Sequence, residues 1–102
     1  MSTRPPADRT VLIVDDEPSV AASLAALLRS NGLANVIECT DSRQVVDLVD
    51  SRDVGVVLLD LAMPHRTGSE VLADLHQRHP DTAVIVVTGT NEVPAAVACM
   101  KA

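Results

Sequence analysis

Three aspartates stand where two apolar runs stop. Residues 10–14 read Thr-Val-Leu-Ile-Val and end at Asp15 and Asp16, while residues 54–59 read Val-Gly-Val-Val-Leu-Leu and end at Asp60. Neither run alternates with polar residues, which is the pattern of parallel strands buried on both faces. Ligands of open parallel α/β sheets bind just beyond the carboxyl ends of the strands, so all three carboxylates would meet at that edge. They repel one another, and such a cluster is costly unless a cation sits among them. The chemistry implied is a metal site with a carboxylate to spare. Each aspartate taken singly could instead cap a following helix, and Asp16, ahead of Glu17 and Pro18, suits that role. Placement at the ends of two separate runs favours the shared site.

The elements that would position these acids alternate as strand, helix, strand, helix, strand, helix, strand, helix. Val20, Leu24, Leu27 and Leu28 repeat at helical spacing over residues 18–30, with Pro18 at the start and Asn31-Gly32 as the stop. Residues 35–39 form a short second strand, and Thr40, Asp41 or Ser42 caps a helix that carries Val45, Val46 and Val49, with Asp47 and Asp50 facing outward. After the run to Asp60, Pro64 and Gly68 frame a loop. Val71, Leu72 and Leu75 mark a third helix that Pro80 closes. Residues 82–87 predict a fourth buried strand ending at Thr88-Gly89, and Asn91 caps a last helix with Val93, Ala96, Val97 and Met100 on one face. Such alternation implies a parallel sheet with right-handed crossovers and helices on both faces.

Composition narrows the function classes. A chain of 102 residues allows one small domain. It is 47% hydrophobic with no Phe, Trp or Tyr, so the core must be built from smaller aliphatic side chains. A net charge of −6 argues against direct nucleic-acid binding, which needs clustered Lys and Arg. No apolar stretch approaches the roughly 20 residues of a membrane span, and residues 1–9 lack the apolar centre of a signal peptide and read as a disordered lead-in. Cys39 and Cys99 have neither zinc spacing nor a disulfide-rich setting, so a reduced cytoplasm is expected and both read as small core residues.

With the three aspartates placed, the sequence closely resembles the receiver domain of two-component response regulators over residues 10–102. Val11-Leu12-Ile13-Val14-Asp15-Asp16-Glu17-Pro18 resembles the family's first strand and acidic pair. Leu58-Leu59-Asp60-Leu61-Ala62-Met63-Pro64 resembles its phospho-acceptor strand and loop, with Gly68 at the expected place, and Val86-Val87-Thr88-Gly89 resembles the strand that ends in a hydroxyl residue. The resemblance implies a flavodoxin-like doubly wound parallel sheet in the order 2-1-3-4(-5), an order taken from the family. It implies that Asp60 accepts a phosphoryl group from a sensor histidine kinase or phosphotransfer domain. Mg²⁺ would be held by Asp15 or Asp16, Asp60 and the backbone carbonyl of Ala62, since this ion prefers oxygen ligands and keeps several waters. Thr88 would hydrogen-bond the phosphoryl group and act as the switch. Family members also carry a Lys and usually an aromatic residue on a fifth strand. Neither position is reached by residue 102, and Lys101 does not replace that Lys. The expectation is therefore a receiver without its fifth strand and fifth helix, with the fourth strand open to pairing and a dimer possible. The segment 91–101 looks most like receivers fused to ATPase and DNA-binding modules, so a C-terminal output domain is expected.

Other residues carry weaker signals. His76 and His79 are three apart but lack a third ligand and read as surface residues; His65 reads as a solvated loop residue, and Arg66 either steers phosphate or is simply exposed. A haloacid-dehalogenase-type hydrolase would place its nucleophile after the first strand in an Asp-x-Asp pattern, whereas this chain has Asp15-Asp16-Glu17. Nucleotide binding lacks a Gly-x-Gly-x-x-Gly or Walker-type loop. A degenerate receiver, binding partners without phosphorylation, is the alternative that survives.

Overall fold

The computed structural model describes residues 9–60 and 68–87. The element order is β1 (Thr10–Val14), α1 (Pro18–Ser30), β2 (Val36–Cys39), α2 (Val45–Ser51), β3 (Val54–Leu59), α3 (Gly68–Arg78) and β4 (Ala83–Val86), with a single 3-10 turn at Ser42–Gln44 before α2. The strands form one sheet in the order β2-β1-β3-β4, and each neighbouring pair is parallel. This is the flavodoxin-like order that the resemblance implied. The expected last helix, and with it Cys99 and Lys101, lies outside the described residues.

Alternation along the buried strands sorts the core into two layers. Val11, Ile13, Val56 and Leu58 pack with Ala21, Leu24, Ala25 and Leu28 of α1. Leu12, Val14, Val57 and Leu59 pack on the opposite face with Val45 and Val49 of α2 and with Val71 and Leu75 of α3. The sheet is thus covered on both faces, which is why β1 and β3 are apolar without a polar partner position. All six residues of β3 are buried. The register slips once, between Thr10 and Val11, so that Thr10 pairs with Val54 and Val11 with Val56.

Local chemistry explains the helix ends. Pro18 occupies the first turn of α1, where its missing N–H costs nothing. Asn31 is the C-cap, and Gly32 follows at φ +89°, a left-handed conformation that favours glycine. Of the three residues able to cap the second helical segment, Asp41 does so: its side chain accepts the backbone N–H of Arg43.

The structure corrects two assignments of the packing. Leu27 is 39% exposed, and the buried stripe of α1 instead runs through Ala21, Leu24, Ala25 and Leu28. At 100° per residue position 27 lies about 110° from the centre of that stripe, which turns it away from the sheet. The fourth strand is not buried throughout: Ala83 is exposed and Val84, Ile85 and Val86 are only half-buried. Among the described residues β4 has a strand neighbour on one side only, β3, so its hydrophobic sequence exceeds its burial.

Candidate functional site

The acids sit where backbone ladders run one residue past the strands. Asp15 donates its N–H to the Cys39 carbonyl at 3.1 Å, and Asp60 donates its N–H to the Val14 carbonyl at 3.1 Å. In the same way Val87 donates to the Leu59 carbonyl at 2.9 Å. Each strand's last residue therefore anchors the first residue beyond the next strand. The main chains of Asp15 and Asp60 are fixed by the sheet, while their side chains project from its carboxyl edge.

One carboxylate oxygen from each of Asp15, Asp16 and Asp60 can be chosen so that all lie within 4.8 Å of one another, the only such grouping of metal-ligating side chains among the described residues. The cluster anticipated from the two apolar runs is thus formed. Asp15 and Asp60 are half-buried. Burial, first, and then the negative charges of Asp60, Asp16 and Glu17 push the Asp15 carboxyl above the ordinary carboxylate value; the Glu17 backbone hydrogen bond opposes them. The donor set is chemically suited to Mg²⁺, a hard cation that takes carboxylate oxygens and retains waters.

The capping role considered for Asp16 is not seen. Glu17 occupies the N-cap of α1 and makes no side-chain capping bond. It is Asp15 whose Oδ1 accepts the Glu17 N–H at 3.0 Å, a local turn that aims this carboxylate. Ala62, His65, Arg66 and Thr88 lie outside the described residues. His79 lies beyond the end of α3, half-buried, with Nε2 against Asp50 Oδ1, so His76 and His79 do not share a ligand set.

Sequence reasoning did not register the acceptors that hold the acids. Cys39 was legible as core and is 3% exposed, but the use of its carbonyl depends on register, which no single residue type reveals. Its thiol donates to the Asp41 carbonyl at 3.1 Å. Burial and the Asp41 carboxylate push that thiol above its ordinary value, against a backbone hydrogen bond at Asp41.

A family model described as the response regulator receiver domain matches residues 11–102. The chain is similar to the transcriptional regulatory protein FixJ of Azorhizobium caulinodans, at 41% identity over 96 residues, covering 94% of this chain and 45% of that protein. It is also similar to the C4-dicarboxylate transport transcriptional regulatory protein DctD of Pseudomonas aeruginosa, at 38% identity, covering 93% of this chain and 20% of that one. It spans less than half the length of both. Among solved structures, a response regulator receiver domain protein from Clostridium thermocellum superimposes with a TM-score of 0.73 at 26% identity, covering 91% of this chain and 75% of the other.

Proposed function

We propose that this chain, which belongs to the response regulator receiver domain family, takes a phosphoryl group on Asp60 with Mg²⁺ bound beside it. Receiver domains are signalling modules rather than enzymes in the ordinary sense, and acceptance of a phosphoryl group is the family's general role. The observation that carries the specific assignment is the convergence of Asp15, Asp16 and Asp60 within 4.8 Å at the carboxyl edge of the sheet. Asp60 follows the central, wholly buried strand β3 and is anchored through its N–H to Val14, which suits a group that must meet an incoming phosphorus in line. An Asp60 oxygen forms the new O–P bond as the P–N bond of a phosphohistidine donor breaks, and the electron pair of that bond goes to the imidazole nitrogen.

Asp15 and Asp16 join Asp60 in holding Mg²⁺, and when bound the ion offsets the negative charge that phosphate brings to three carboxylates. On the strength of the motif resemblance, the Ala62 carbonyl joins these metal ligands and the Thr88 hydroxyl hydrogen-bonds the phosphoryl group as the switch. The donor is a sensor histidine kinase or phosphotransfer domain, and the recipient of the signal is an output domain or partner. Regulation of transcription is the output that the FixJ and DctD likenesses favour. No described helix is long and apolar enough to cross a membrane, and a cytoplasmic location is part of this reading.

The test is the intact mass after incubation with acetyl phosphate and Mg²⁺. The expected result is one added phosphoryl group in the wild type and in Asp47→Asn, an exposed position on α2, and none in Asp60→Asn. Undiminished labelling of Asp60→Asn refutes the acceptor assignment. A wild type that stays unlabelled supports the degenerate receiver, acting by protein contact alone.

A further inference from the structure

We propose that the turn closing β2, built on the Cys39 thiol and the Asp41 cap, is a positioning device for Asp15. This deepens the reading above and rests on it only where it concerns the metal. β2 is an outer strand of the sheet, paired with β1 on one side. Its last residue, Cys39, supplies the carbonyl that receives the Asp15 N–H at 3.1 Å. The direction of that carbonyl depends on the peptide plane between Cys39 and Thr40. No further strand stiffens this plane from outside among the described residues, so its rigidity must come from the turn that follows.

That turn is unusually well tied. The Asp41 carbonyl accepts from the Cys39 thiol at 3.1 Å and from the Gln44 N–H at 3.0 Å. The Asp41 carboxylate accepts the Arg43 N–H and Nε at 3.0 Å each on Oδ1, and Arg43 Nη2 at 2.9 Å on Oδ2. The thiol itself is packed in the layer with Val14, Val45 and Leu59. Rotating the 39–40 plane would break the thiol bond and drag the capped turn with it. Asp15 is consequently gripped twice, at its amide by Cys39 and at its carboxylate by the Glu17 N–H at 3.0 Å. Asp60 needs no such brace, because its amide bonds to Val14 of β1, a strand paired on both sides.

The thiol is a weak donor, and its role here is geometric. Alanine at position 39 would keep most of the packing and lose the bond; serine would restore a donor. Amide hydrogen exchange in metal-free protein reads the anchor directly, and amide shifts of Asp15 and Asp16 during Mg²⁺ titration read its consequence. In Cys39→Ala, and separately in Asp41→Ala, the Asp15 amide is expected to exchange roughly five- to tenfold faster relative to Val14 and Leu58, as befits one weak hydrogen bond. Mg²⁺ affinity falls by a similar factor or less, and Cys39→Ser recovers the Asp15 protection. Leu75→Ala, in the same packed layer, serves as the purely structural comparison and speeds exchange across β1 and β3 together. Equal changes at Asp15, Val14 and Leu58 in both Cys39→Ala and Asp41→Ala overturn the proposal. Should Cys39→Ala not fold, Asp41→Ala and Cys39→Ser decide it. A wild type whose Asp15 and Asp16 amides ignore Mg²⁺ counts against the metal reading, while the exchange comparison still decides the positioning role.

Discussion

Replacing Asp16 with asparagine takes one charge from the acid cluster, and without Mg²⁺ the protein should become more stable. Asp16 isolates the charge effect better than Asp15, which also accepts the Glu17 N–H. With the carboxylate oxygens no more than 4.8 Å apart, each pair repels by about 0.9 kcal/mol even at the dielectric constant of water. Removing Asp16 abolishes two of the three pairs, about 1.7 kcal/mol. Screening with a Debye length of about 8 Å at physiological ionic strength brings this to about 1 kcal/mol. For a domain of this size that corresponds to a rise in Tm of about 4–8 °C. The chain has no aromatic residue to report by fluorescence, so unfolding is followed by circular dichroism, in EDTA, at low and high salt. The gain should be largest at low salt. Excess Mg²⁺ should reverse the order, since a ligand at a hundredfold its Kd stabilises the wild type by about 2.7 kcal/mol and the variant has lost one of its carboxylates. An unchanged or lower midpoint for Asp16→Asn in EDTA at low salt, or a gain that salt leaves untouched, would show that repulsion is not stored in the cluster.

Three further outcomes follow from the same structure. Asp15 has a raised folded pKa, so its ionisation costs stability as pH climbs from the unfolded value of 3.8 through the folded one; urea midpoints in EDTA should show that decline in the wild type and not in Asp15→Asn. Gly32 has open space where a Cβ would sit but a φ of +89°, so Gly32→Ala should cost about 1 kcal/mol through backbone strain alone, measured by urea unfolding. Cys39 is buried with its thiol pushed above the ordinary value, so in a Cys99→Ala background alkylation at mildly alkaline pH should be far slower in native than in urea-unfolded protein.

The site was legible where chemistry and periodicity coincide. Two apolar runs that each stop at aspartate announce both the buried strands and the edge where they end, and Asp15, Asp16 and Asp60 do converge. Pro18 and Asn31-Gly32 marked the limits of α1 because their backbone preferences are intrinsic to residue type. Leu27 misled because helical spacing fixes a face but not its width, and Ala21 and Ala25 claim the buried centre. The half-exposed β4 misled because apolar sequence reports what a strand can bury, and burial depends on neighbours. The anchoring carbonyls of Cys39, Val14 and Leu59 were invisible for a different reason. Every residue has a carbonyl, and only register says which one meets an acid.

At the opposite end of the sheet a single oxygen gathers three strands. The Val54 carbonyl, at the start of β3, accepts Arg9 Nη2 at 3.1 Å and Thr82 Oγ1 at 3.0 Å, from the chain entering β1 and β4 respectively. Arg9 Nε meanwhile pairs with Asp53 at 2.7 Å. Mechanically this is a clamp. Asp60 lies one residue past the end of that strand and six residues from Val54, about 20 Å at roughly 3.3 Å per residue, so the span is held at one end by the shared Val54 carbonyl and at the other by the Asp60 N–H on Val14. A strand pinned at both ends acts as a strut, and the acid it carries keeps a fixed distance from the far edge of the sheet.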